Sequence, residues 1–213
     1  MSAPRKYELV LDDTVTAWNG AKLFRIRALV DIAPIGVSVG DLGGYVEKEN
    51  NLSQVSGNAW VYGYARVSGD AQVSGNARVS GYAQVSGNAR VSGNARVSGN
   101  ARVFGNAWVY GNAQVYGNAW ASGNAWVSGD AQVSGVNVIA TRTDGYTFLV
   151  APTPDGPRII AGCRYFTFDE ADVHWGKDAR EKIGPESRSI IAHLKTMAEI
   201  NGFMEPVAAE TQP

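Results

Sequence analysis

The residues best suited to chemistry in this 213-residue chain are few. Cys163, Asp172, His174 and Trp175 lie close together near the C-terminus. A thiol beside an imidazole is the pairing from which a nucleophile with an adjacent base is built. The competing reading is a buried thiol on a strand and a helix-end histidine packed beside a tryptophan, and the spacing offers nothing more specific. The second histidine, His193, falls in a different predicted helix. A catalytic zinc with about three protein ligands cannot be assembled from two such residues. No catalytic residue, no metal ligand and no cofactor is therefore expected, and the chain reads as a non-enzyme.

A second group has binding rather than catalytic character. Trp60, Trp108, Trp120 and Trp126, with Tyr62, Phe104, Tyr110 and Tyr116, fall at positions that alternate with small apolar residues and should point outward. Arg66, Arg78, Arg90, Arg96 and Arg102 occupy equivalent positions. Large apolar groups aimed at water mark interfaces. Stacked rings and guanidinium groups can also receive a flat anionic ligand such as a nucleotide. In a third reading each aromatic covers only its own neighbours and the arginines are solvated edge breakers. The candidate ligand-binding or interface residues are Trp60, Arg78, Arg96, Arg102, Trp108, Tyr110, Tyr116, Trp120 and Trp126.

These residues are positioned by a repeat. Glycine recurs every six residues from Gly57 to Gly135, 14 times without a phase break. Alanine follows each glycine but the last by two positions, and valine follows the alanine by two more, with Ala121 the one substitute between Val55 and Val133. The unit is clearest in Ala89-Arg90-Val91-Ser92-Gly93-Asn94. Alternation of small and branched apolar residues around a polar one describes a strand with one face turned inward. Gly-Asn then breaks the strand and turns the chain. The position after glycine accepts Tyr64, Tyr82 and Val136, for which a left-handed backbone is costly, so the glycine should hold any positive φ. A period of six does not fit a helix, and Gly with Asn in every turn and a half would be too unfavourable. Stacked rungs of a parallel β-helix remain, burying the valines in one column. Three rungs per coil would align residues eighteen apart: Tyr64 with Tyr82, Arg78 with Arg96, Trp108 with Trp126, and Asn76, Asn94 and Asn112 as an amide ladder. About five coils would stand roughly 20–25 Å tall.

These hexads resemble the left-handed β-helix of the bacterial hexapeptide-repeat superfamily, where triangular coils of three hexads are the rule. More narrowly, Gly40-Asp41-Leu42-Gly43-Gly44-Tyr45-Val46-Glu47, with Asn51-Leu52-Ser53-Gln54 and Asn58-Ala59-Trp60-Val61-Tyr62, is similar to phage, prophage and enterobacterial proteins labelled polymer-forming or hexapeptide-repeat proteins. The resemblance spans about residues 24–133. The superfamily places glycine directly after the branched residue, whereas here Ser or an aromatic intervenes, so a right-handed solenoid is the alternative. The resemblance implies trimers, and it raises acyltransferase activity as a possibility. That activity needs a general base on the coil, and residues 55–135 contain no His, Glu, Lys or Cys.

The expected fold is all-β: a single-stranded parallel β-helix over 52–139, with an N-terminal hairpin cap over 1–51 and a C-terminal α+β cap over 140–204. Residues 205–213 read as a disordered tail. The N-terminal strands are Tyr7–Leu11 and Asp13–Trp18, an Asn19-Gly20 turn, and Lys22–Ile32; Val37–Tyr45 leads into the first coil. A second hairpin turns at Asp144-Gly145, one strand spans Arg158–Phe166, and helices follow over Asp169–Trp175 and Glu186–Ile200.

The net charge is −1, which gives no global field towards nucleic acid or anionic membrane. Five arginines without lysine are thin cover for a phosphate track, so general nucleic-acid binding is not expected. One cysteine provides no disulfide framework. No signal peptide or membrane span is read, so the expected location is the cytoplasm, the host's if the chain is phage encoded, with the virion as the alternative. The functional expectation is a non-catalytic binding or assembly protein whose partner is itself, as a homo-oligomer. The alternative is sequestration of a small anionic ligand, such as a nucleotide signal of host defence.

Overall fold

Each hexad contributes a two- or three-residue strand, because the Ala-x-Val alternation supplies one buried face and the glycine ends it. The computed structural model describes residues 5–54, 57–134, 138–153, 155–162, 164–176 and 183–204. Among them, thirteen short strands run from β4 (Trp60–Val61) to β16 (Gln132–Ser134), preceded by β1 (Tyr7–Thr16), β2 (Lys22–Ala28) and β3 (Leu42–Val46). Every repeat alanine and valine from Ala59 to Val133 is buried, Ala121 included. Burying each valine contributes roughly 1.5–3 kcal/mol, and the alanines let opposite walls approach.

The strands pair in parallel with the strand eighteen residues on, as in Arg78 with Arg96 and Val79 with Val97. Backbone N–H groups donate to the coil that follows: Arg78 N to Ala95 O at 2.9 Å, Ser80 N to Val97 O at 2.9 Å. The strands sort into three walls. The first, which continues the N-terminal hairpin, stacks Tyr45, Arg66, Gln84, Arg102 and Trp120. The arginine face stacks Trp60, Arg78, Arg96, Gln114 and Gln132. The tryptophan face stacks Gln72, Arg90, Trp108 and Trp126.

The corners need glycine for two reasons. Gly93 has φ 68°, and a Cβ there would lie 2.9 Å from the backbone nitrogen of Gly111 in the next coil. No described non-glycine residue has positive φ, so Tyr64 and Tyr82 sit in ordinary backbone beside their glycines. Their rings stack at 5.5 Å and 6°. The asparagines after glycine form ladders: Asn58 Nδ2 donates to Asn76 Oδ1, Asn76 to Asn94, Asn94 to Asn112, and Asn112 to Asp130, at 2.9–3.2 Å.

The N-terminal hairpin is more than a lid. β1 is one strand with a bulge between Val10 and Thr14 rather than two, and β2 ends at Ala28. β3 pairs antiparallel with β2 and parallel with the strand holding Arg66 and Val67, so it serves as the first rung. Gly44 permits that approach, since a Cβ there would stand 2.6 Å from Ala65 O. Lys6 and Tyr7 close the adjoining wall. Lys6 Nζ donates to Ala59 O at 3.0 Å, and Tyr7 Oη donates to the carbonyls of Glu49 and Leu52. Burial lowers Lys6 to a pKa of about 8 and raises that of Tyr7.

At the other end a four-stranded antiparallel sheet takes over: β17 (Val138–Thr141), β18 (Thr147–Ala151), β19 (Arg158–Ala161) and β20 (Arg164–Phe166). The single strand expected over Arg158–Phe166 is instead a tight hairpin broken at Gly162, which takes φ 58°. The alternation of β18 explains the capping. Leu149 and Ala151 join the solenoid core, while Phe148 and Val150 face the core of α1 (Phe168–Gly176) and α2 (Ile183–Ile200). Both helices begin a residue or more before the sequence suggests. The second buries Ile191, Leu194 and Ala198, with Ile190 and Met197 half-buried. Arg142 ties the layers together. It pairs with Asp144 at 2.7 Å, holding that carboxyl down at about 2, and it donates to Ser187 Oγ at 2.8 Å. Cys163 and 205–213 lie outside the described residues. Among those described, no helix is long and apolar enough to cross a membrane.

Candidate functional site

The nine residues expected to point outward fall into three groups on three walls. Trp60 is a correction. It is 1% exposed, because the start of β1 folds across it and Tyr7 meets its ring edge-on at 6.3 Å. Arg78 and Arg96 are direct neighbours on the arginine face. Tyr116 ends its own strand on that wall and is half-buried.

The tryptophan face carries the second group. Trp108 and Trp126 stack in parallel at 5.3 Å and 9°, and Tyr110 stands edge-on to Trp126 at 6.5 Å. The guanidinium carbon of Arg90 lies 5.0 Å from the Trp108 centroid. The column therefore reads Arg90, Trp108, Trp126, each ring packed on the side chain of the neighbouring coil. Stacking leaves Trp108 37% and Trp126 39% exposed, which makes a flat apolar plate in the C-terminal half of the wall.

On the hairpin face, Arg102 lies 5.5 Å from the Trp120 centroid, and Phe104 meets the same ring edge-on at 6.1 Å. The β1–β2 tip folds back over this wall. Ala17 and Leu23 pack with Tyr45, while Trp18 is 81% exposed. Between Trp18 and the Arg102–Trp120 pair lies a groove with two adjoining lobes. One, of about 310 Å³, is lined by Trp18, Gln84, Ser86, Arg102, Phe104 and Trp120. The other, of about 190 Å³, adds Arg66 and Ser68 beneath the tip.

Two acids accompany the repeat arginines, and neither pairs with them. Asp70 holds Lys48 at 2.7 Å, and that hydrogen bond keeps its carboxyl below the usual range. Asp130 accepts from the end of the asparagine ladder. Among the described residues none of the five arginines lies within ion-pair distance of a carboxylate.

Of the C-terminal residues with nucleophile or base character, Cys163 lies outside the described residues. Asp172 and His174 are exposed, and the His174 ring packs on Phe166 at 5.1 Å and Trp175 at 4.8 Å. Among the described residues no three of His, Cys, Asp and Glu are grouped to hold a metal ion.

The candidate set read from the sequence left out four participants. Arg90 was signalled by its position eighteen residues before Trp108. Arg66 and Gln84 were signalled in the same way by their alignment with Arg102. Trp18 carried no such signal, since only the curl of the hairpin places it over the groove.

Comparison with known proteins agrees with the architecture. A model of the YdcK β-solenoid repeat matches the chain four times, over residues 53–69, 71–85, 83–97 and 95–111. The chain is similar to that repeat across its N-terminal coils, and it is a β-solenoid repeat protein. No curated protein gives a significant match.

Proposed function

We propose that this β-solenoid is a non-catalytic binding and assembly module that self-associates through its tryptophan face. The supporting observation is the Trp108–Trp126 plate with Tyr110 at its edge, a contiguous aromatic surface on a flat wall. Flat, partly exposed aromatic surface depleted of charge is what interfaces bury. The adjacent arginine face is poorly suited to the same task, because Arg78 and Arg96 stand side by side and, among the described residues, neither is within ion-pair distance of a carboxylate. Packing that wall against a copy of itself would concentrate like charge. A trimer is the stoichiometry implied by the resemblance to hexapeptide-repeat proteins. Left-handed winding, a phage or prophage origin and a cytoplasmic location belong to the same reading. Light scattering is the test: the wild-type chain should run as an oligomer, and Trp108→Ser with Trp126→Ser should reduce it to a single chain. A monomeric wild type, or an unchanged mass in the double variant, would refute self-association by this face.

The groove on the hairpin face favours a second reading, the binding of a small anionic ligand. Among the described residues its lining includes two exposed tryptophans and two arginines but no acidic residue.

A further inference from the structure

We propose that the groove between Trp18 and Trp120 binds a planar anion of mononucleotide size, with its ring against Trp18 and its anionic group held by Arg102 and Arg66. The inference rests on the ligand-binding reading above and is independent of self-association.

Three observations carry it. The first is charge. Arg66 and Arg102 share one wall, two coils apart with Gln84 between them, which puts them roughly 10 Å apart along the column. Neither is within ion-pair distance of a carboxylate among the described residues. A guanidinium so placed favours a phosphate or carboxylate, which it can meet with two parallel N–H donors. The second is the rings. Trp120 already lies against Arg102 and Phe104, so it fixes the guanidinium. Trp18, on the hairpin tip, is the exposed ring left to stack on a ligand. The third is size. The lobes of about 310 and 190 Å³ adjoin at Trp18, Gln84 and Ser86 and match the lower end of small-molecule sites, about 300–1,000 Å³. The Gln84 amide on the floor can both donate to and accept from a heterocycle edge.

A nucleic-acid strand is the poorer occupant. Among the described residues the outward column beyond Arg102 continues to Trp120 and ends, so a second or third phosphate finds no cation of that column there.

Calorimetry with adenosine monophosphate, adenosine and inorganic phosphate tests the proposal on the full chain. The monophosphate should bind, and adenosine and phosphate alone should each bind at least tenfold more weakly. Trp18→Ser and Arg102→Gln should each weaken the monophosphate at least tenfold, with circular dichroism unchanged. Arg96→Gln, on another wall, should bind as the wild type does. The monomeric Trp108→Ser/Trp126→Ser variant should also keep its affinity, which separates this site from the assembly surface. Absence of binding at millimolar monophosphate would overturn the proposal. So would equal loss in Arg96→Gln, full affinity in Trp18→Ser, or a decanucleotide that binds more tightly than the monophosphate.

Discussion

Trp108 and Trp126, eighteen residues apart, lie face to face at 5.3 Å with 9° between their planes, and Arg90 covers the other side of Trp108 at 5.0 Å. The stack is made inside one chain, by identical positions of successive coils. Its cation–π member should register as a coupling. A double-mutant cycle with Arg90→Ala and Trp108→Ala, read by urea denaturation, should give about 0.5–1 kcal/mol. Zero coupling would mean that the guanidinium only passes near the ring.

The corner glycines make a sharper prediction. Gly93→Ala must place a side chain at φ 68° and within 2.9 Å of the next coil's backbone nitrogen. The left-handed backbone alone costs roughly 1–2 kcal/mol, and the clash adds to it. A loss of about 2–4 kcal/mol in stability is expected, whereas Gly20→Ala on the open hairpin tip should lose only the backbone term.

The asparagine ladder predicts a position-dependent effect. Asn94 accepts from Asn76 and donates to Asn112 at 3.1 Å each. Asn94→Ala removes both bonds and should cost about 1–2 kcal/mol. Asn100→Ala, which loses a single bond of 3.3 Å to Asn118, should cost about half as much. Equal losses at the two sites would show that the second ladder bond of Asn94 adds nothing to stability.

Lys6 gives the N-terminal closure a pH signature. Burial lowers its pKa to about 8 from 10.5, so between those values the unfolded chain holds a proton that the folded chain has released. Stability must rise with pH across that window. Burial raises Tyr7 from 10.0. Above pH 10 the folded chain therefore keeps a phenolic proton that the unfolded chain has lost, and stability falls. Thermal denaturation should show stability rising from pH 8 by about 1–2 kcal/mol to a maximum near pH 10 and falling beyond it. Lys6→Met should flatten that rise and leave the alkaline fall intact.

The core was readable from the repeat because its code is local. Val97 is buried for the same reason as Val79 and Val115, and each hexad states that reason in full. Pairs eighteen apart were readable for like residues, Tyr64 with Tyr82 or Trp108 with Trp126. The same spacing also joins unlike residues, Arg90 with Trp108 and Arg102 with Trp120, and these are the contacts that organise the outer surface. Trp60 could not be placed from its own hexad, since its burial depends on Tyr7, a residue more than fifty positions earlier. Trp18 was hidden for a related reason. A hairpin's register is local, but where its tip folds is decided by Ala17 and Leu23 packing on Tyr45.

The eighteen-residue register also makes length a free variable of this architecture. Because each strand bonds only to the strands one coil away, duplicating a whole coil returns every later residue to the wall it left, one step further along. Gaining or losing a single hexad instead rotates all that follows by a third of a turn. That would carry Trp126 off the wall of Trp108 and swing the C-terminal sheet round with it. The gene can therefore grow or shrink by whole coils without redesign, while its terminal pieces, matched to one phase, act as the gauge that rejects any other step.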